Sequence, residues 1–158
     1  LRKKADEKLA LFIGSEGIGA FVRRWMDHPL FASQKKLGKT FLDEACRQRL
    51  GNDASLLASS LRGMGTGTQL PVYHRLKQID IPMLFVAGVE DNKFCDIARR
   101  LKSSCPQGHT QFVKEAGHAA HLENGPMTAY SIAIFFRQYQ EAVAESQVSI
   151  SPFGVFYE

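Results

Sequence analysis

Ile81-Pro-Met-Leu-Phe-Val-Ala-Gly-Val-Glu-Asp91 and Thr110-Gln-Phe-Val-Lys-Glu-Ala-Gly-His118 decide the fold. The first opens on an unbroken apolar run, Ile81 to Ala87, of strand length. Such a run suits a parallel strand buried on both faces. Gly88 closes it, and a polar turn follows as far as Lys93. Ile97, Ala98 and Leu101 then predict a short amphipathic helix, and Thr110 to Lys114 a second, shorter strand. Past Glu115-Ala-Gly-His-Ala-Ala-His-Leu-Glu-Asn124 the spacing predicts a long helix. Its expected buried face is Ala129, Ile132, Ala133, Phe136, Tyr139 and Val143, spaced by three and four. The strand, helix, strand, helix order implies an α/β fold with a parallel sheet and right-handed crossovers.

Upstream of Leu70-Pro71 the pattern is helical instead. Ile18, Phe21, Val22 and Trp25 fall on one helix face, and Pro29 is expected to end that helix. A second helix is predicted from Thr40, with Asp43 three residues on as a weak capping box and Phe41, Leu42, Ala45 and Cys46 as its apolar face. A third is predicted from Asp53, with Leu57 and Leu61 one turn apart. The alternating glycines of Arg62-Gly-Met-Gly-Thr-Gly-Thr-Gln69 predict a loop or hinge. They follow no strand and lack the dinucleotide-binding spacing. The expected division is a helical segment over 1–70, a strand-bearing portion over 71–145 and a tail over 146–158.

Composition narrows the class. Hydrophobic residues at 44% and charged residues at 23% are those of an ordinary globular chain. No apolar run approaches the roughly 20 residues that span a bilayer, so no membrane partner is expected. Twenty Lys and Arg against 16 Asp and Glu leave a net charge of +4. The excess is mild and lies in no basic tract, which excludes an obvious nucleic-acid partner. Three irregularly spaced cysteines fit neither a disulfide framework nor a metal site. The chain starts at Leu1, and two strands alone would leave open sheet edges. The sequence therefore reads as part of a larger fold, with its missing N-terminal half as a partner.

In open parallel sheets, ligands bind beyond the carboxyl ends of the strands. An acid after one strand and a histidine after the next follow the Ser, Asp, His order of the α/β-hydrolases. The chemistry needs this pairing, because a histidine base must have its other ring nitrogen held by an acceptor. Asp91 and His118 are the candidate acid and base. Glu90 competes for the acid role, but Asp91 stands third after Gly88. Each residue also has an ordinary explanation: Asp91 as a turn former or helix cap, His118 as a packed loop residue. No Gly-x-Ser-x-Gly nucleophile occurs in the chain. The fold class expected is the C-terminal half of an α/β-hydrolase fold with a helical cap segment.

Four stretches carry a closer resemblance. They are Phe21-Val-Arg-Arg-Trp-Met-Asp-His-Pro-Leu-Phe-Ala32, Leu61-Arg-Gly-Met-Gly-Thr-Gly-Thr-Gln69, Ala87-Gly-Val-Glu-Asp-Asn-Lys-Phe94 and Ala116-Gly-His-Ala-Ala-His-Leu-Glu-Asn124. Together they resemble the 2-succinyl-6-hydroxy-2,4-cyclohexadiene-1-carboxylate synthases of menaquinone and phylloquinone biosynthesis. One departure is Gly125, which intervenes before Pro126. The resemblance implies that the helical segment caps the active site and that Trp25 and Phe31 line the substrate pocket. It further implies that Arg49 binds a carboxylate of an anionic small-molecule substrate. Read from the residues alone, core packing suits Trp25 equally, and Arg49 could offset a helix dipole. The implied reaction is a proton abstraction that eliminates pyruvate, with a serine outside this chain as base, activated by His118 and oriented through Asp91. No metal or organic cofactor is implied. In plants the activity is the last domain of a plastid fusion protein, which implies the chloroplast for such a source and the cytoplasm otherwise. A carboxylic ester hydrolase and a ligand-binding protein on the same fold remain open alternatives. Without the serine, the chain alone is expected to be inert.

Overall fold

This computed structural model of the chain describes residues 1–148, and their side chains as far as Gln140. The side chain of Val143 and residues 149–158 of the predicted tail lie outside what is described. Residues 146–148 continue the last helix rather than starting a tail.

The helical segment begins with α1, Arg2–Met26, which is interrupted at Gly17 (φ 76°, ψ 174°). Ala10, Ile13, Phe21 and Val22 are buried, and Ala58 of α3 (Ala54–Met64) joins them in one core, flanked by Leu57 and Leu61. Burying side chains such as Ile13 and Val22 contributes about 1.5–3 kcal/mol each. Asp53 caps α3 by accepting from the Leu56 N–H at 2.8 Å, as its position predicts. The helix continues through Gly63 to Met64, further than the glycine pattern suggested. The later glycines have a steric cause. A β-carbon on Gly67 would lie 2.5 Å from the Lys3 nitrogen. This close approach lets buried Asp6 accept both the Gly67 N–H (2.9 Å) and the Arg2 Nε–H (2.8 Å).

Pro29 does more than stop α1. It opens a 3-10 helix, Pro29–Leu37, whose first turn is capped by His28 Nδ1 accepting from Leu30 N–H at 3.1 Å. Proline suits that position, because its missing N–H is one the helix start leaves unpaired. The next helix, α2, runs Gly38–Leu50 and so starts before Thr40, with no side-chain cap. Asp43 is not a capping-box residue; it pairs with Lys39 one turn back, at 2.5 Å.

After a 3-10 turn (Tyr73–Gln78) come β1 (Met83–Gly88), α4 (Asn92–Ser104) and β2 (Gly108–Val113). The two strands are parallel, registered from Met83 opposite Gly108 to Gly88 opposite Val113. Cys95 and Ala98 of α4 pack on Phe85, Ala87 and Phe112. Burial of β1 on both faces is only partly realised. Ala87 and Gly88 are buried, but Met83 to Val86 are half-exposed. The layers of this chain cover the strand's end and leave its start partly open.

A single turn, α5 (Ala120–Glu123), leads into α6 (Gly125–Val148). The expected buried face of α6 is overturned. Ala129, Ile132, Ala133, Phe136 and Tyr139 are exposed, while Thr128 and Ser131 are buried and Ile134 and Phe135 half-buried. Hydroxyls made this possible. Thr128 donates to Ala120 O at 3.0 Å and Ser131 to Met127 O at 2.8 Å, so neither is buried unsatisfied. The apolar residues on the far side were the better hydrophobes, but not the ones turned inward.

Two glycines give the packing a direct test. Gly14 lies exposed within α1, and a β-carbon there meets nothing within 4 Å. Gly14→Ala is expected to stabilise by ~0.5–1 kcal/mol. Gly67→Ala is expected to destabilise by ~1–3 kcal/mol, because the new carbon meets backbone. Urea denaturation of the two variants reads both signs.

Candidate active site

Two loops meet at the carboxyl ends of β1 and β2. Their backbones are laced together: Val89 N–H donates to Val113 O (2.9 Å) and Glu90 N–H to Ala116 O (2.9 Å). Only glycine fits at 88, since a β-carbon would collide with the carbonyl oxygens of Ala116 and Gly117. The close approach places Asp91 against His118.

Asp91 is the N-cap of α4 and is buried, with its side chain 7% exposed. One carboxylate oxygen, Oδ1, accepts the Phe94 N–H at 3.1 Å. The other, Oδ2, lies 2.8 Å from His118 Nδ1. Both readings of Asp91 thus coexist in one side chain. A carboxylate oxygen at Nδ1 selects the Nδ1–H tautomer, leaving Nε2 as the acceptor. His118 Nε2 has no hydrogen-bond partner among the described residues. Its side chain is 27% exposed, between cavities of about 290 and 160 Å³.

The imidazole is held between two aromatic edges. Phe94 stands 4.6 Å away, centroid to centroid, and Phe31 5.8 Å, their planes inclined to the imidazole by 66° and 63°. Phe31 comes from the 3-10 helix, so the helical segment reaches the histidine directly. Trp25 lies behind it at 5.2 Å, and Phe21 behind that at 5.4 Å. Trp25 and Phe31 both border a larger hollow of about 630 Å³, with Arg2, Arg24 and His28 on its walls. Ser33, in the same 3-10 helix, abuts Gly117 so closely that a β-carbon there would lie 2.9 Å from the serine Cβ.

The other candidates fall elsewhere. Glu90 turns outward and pairs with Lys36 of the 3-10 helix, so it is Asp91 whose carboxylate meets the histidine. Arg49 is not brought to His118. It is half-buried on α2, and its Nη1 donates to Ala45 O of its own helix at 2.7 Å. Sequence reasoning missed Phe94, although it lies within the acid loop. It also missed the Lys36–Glu90 pair, whose long separation along the chain left no local signal. Among the described residues no group of three or more His, Cys, Asp or Glu could hold a metal ion. None of the described helices is long and apolar enough to cross a membrane.

Parallel strands with an acid after the first and a histidine after the second, under a helical segment, are part of an α/β-hydrolase fold. Comparison with known proteins agrees and adds particulars. MenH from S. aureus superposes with a TM-score of 0.85 at 32% identity, over 88% of this chain and 52% of that one. A Bacillus subtilis (strain 168) protein bearing the 2-succinyl-6-hydroxy-2,4-cyclohexadiene-1-carboxylate synthase name is 41% identical over 118 residues, 75% of this chain and 43% of its own. Protein PHYLLO, chloroplastic, of Arabidopsis thaliana is 23% identical over 94% of this chain and 9% of its own. No protein-family model matches the chain. The chain is homologous to proteins of the synthase name and spans about half the length of the bacterial relatives it matches.

The two duties of Asp91 separate by substitution. Asp91→Asn keeps a cap acceptor, so its stability is expected to stay within a few tenths of a kcal/mol. Asp91→Ala is expected to lose about 1 kcal/mol. Thermal or urea melts of the two variants distinguish cap from charge. A thiol-labelling series checks the packing behind the site. Burial pushes the Cys95 thiol up from its ordinary value, and Cys95 and Cys105 are both buried, whereas Cys46 is half-buried. Cys46 is expected to label first at neutral pH, read by mass spectrometry.

Proposed function

We propose that this chain is the acid- and histidine-bearing portion of a 2-succinyl-6-hydroxy-2,4-cyclohexadiene-1-carboxylate synthase, a carbon–oxygen lyase. The observation that carries the reading is the 2.8 Å contact between Asp91 and His118 at adjoining strand ends. The synthase-named homologues supply the choice among activities on this fold. A serine from the remainder of the fold would complete the triad. His118 Nε2 takes the serine proton, and the serine oxygen takes a proton from a substrate carbon. The electron pair of that C–H bond forms the new double bond of the ring. The C–O bond breaks, the leaving group departs as the enolate of pyruvate, and the proton held on His118 passes to it, giving pyruvate and a neutral imidazole. Asp91 holds the imidazole in register and stabilises its positive charge while it carries the proton. In this reading Phe31 and Trp25 wall the substrate pocket. Arg49 binds a substrate carboxylate, exchanging its bond to Ala45 O for a bidentate contact.

The rest of the fold is also the proposed partner of two bare surfaces. Ile132, Phe136 and Tyr139 form an exposed apolar face on α6, and the start of β1 is half-covered. Such surfaces suit further sheet and helix layers. The compartment follows the parent chain: the chloroplast for a plant fusion protein, the cytoplasm for a bacterial one.

The test is pyruvate release from the cyclohexene precursor by the complete protein. We expect release in the wild type and a fall of at least 10³-fold in His118→Ala, the scale for losing a triad member. The 158 residues alone are expected to release none. His118-dependent cleavage of simple esters without pyruvate release would replace the lyase reading with that of an ester hydrolase.

A further inference from the structure

His118 lies in a loop, and loops do not hold an imidazole in place unaided. The residues on its two sides are Gly117 and Ala119. Both point their N–H groups at one carboxylate. Gly117 N–H donates to Glu123 Oε2 at 2.8 Å, and Ala119 N–H donates to Glu123 Oε1 at 3.1 Å. We infer that Glu123 is a positioning residue for His118, a two-pronged clamp that fixes the histidine's backbone from both sides and so sets where the ring points.

Several observations converge on this role. The clamp uses both carboxylate oxygens at once, one for the N–H of each flanking residue, and charged acceptors make the stronger hydrogen bonds. Glu123 can reach back because α5 is one turn long and returns the chain over the loop it has just left. The next residue anchors the same turn. Asn124 donates from Nδ2 to Lys114 O at 3.0 Å and accepts from Met127 N–H at 3.2 Å, tying α5 to the end of β2 and the start of α6. Thr128 adds a hydroxyl bond to Ala120 O. Ser33 also abuts Gly117: a β-carbon there would meet the Ser33 side chain and, at 3.2 Å, Glu123 Oε2. No ion pair to Glu123 occurs among the described residues; its charge is spent on the loop backbone.

Residue chemistry sets the requirement. A glutamine at 123 keeps the length but offers one acceptor oxygen, and its amide would turn N–H against N–H at the other prong. An aspartate is one methylene too short to span both donors. Either change lets one flank of His118 swing, and misplacing a catalytic group by about 1 Å costs on the order of 10²-fold in rate. The inference rests on the triad reading for its kinetic consequence, but not for its structural one.

The experiment therefore has two readouts on the complete protein, in the wild type, Glu123→Gln and Glu123→Ala. The first is the proton resonance of the His118 Nδ1–H bonded to Asp91, assigned by its loss in Asp91→Ala. In Glu123→Gln we expect it to shift and exchange faster with solvent, with the melting temperature little changed. In Glu123→Ala we expect it to be lost. The second is pyruvate release, where kcat is expected to fall about 10- to 100-fold with KM nearly unchanged. A resonance of wild-type position and exchange rate in both variants would overturn the clamp. A wild type that releases no pyruvate would sink the synthase reading and leave the resonance test to decide the clamp.

Discussion

The contact between Asp91 Oδ2 and His118 Nδ1 is the interaction on which the rest of the site depends, and it is made by strand geometry. Parallel pairing brings Gly88 level with Val113, so the turns that follow leave the sheet side by side. The bonds from Val89 and Glu90 to the neighbouring strand and loop continue that pairing past the sheet edge. Gly88 makes the approach sterically possible. Once the two loops run in contact, an acid three residues past one glycine and a histidine one residue past another reach one another, the histidine's loop turning through Glu115 in the left-handed region (φ 56°).

Around this contact the helical segment closes from above through its 3-10 helix rather than through its long helices. Phe31 meets the imidazole edge, Ser33 abuts Gly117 and Lys36 pairs with Glu90. Three residue types, aromatic, small polar and cationic, thus bind one short segment to both site loops. The α1–α3 core stands further off. Its contribution is to hold the segment's beginning, through Trp25 packed between Phe21 and Phe31.

Much of this was legible from residue pattern. Both strands, α4 and the start of α3 near Asp53 follow from apolar runs and three-and-four spacing. The acid and histidine were legible because strand ends are where such folds put chemistry. The 3-10 helix was not, because Pro29 signals the end of one helix and the start of the next with the same letter. The face of α6 was misread because Thr128 and Ser131 count as polar, yet their hydroxyls are satisfied by Asn124 O and Met127 O of the preceding turn, and Thr128 by Ala120 O as well. Phe94 and Glu123 escaped notice for a related reason. Their roles depend on the direction a side chain takes once the loop is folded, and composition carries no record of direction.

The capping bond of Asp91 has a consequence for the history of such chains. A lineage that ceased to need the chemistry would still gain helix stability from Asp91, because Oδ1 caps α4 whatever happens at His118. His118 has no comparable second employment in the structure, and Phe94 stands against its ring. Drift should therefore reach the histidine before the aspartate. A retained acid is weak testimony to a living enzyme among distant kin; a retained histidine, with its two aromatic neighbours, is stronger.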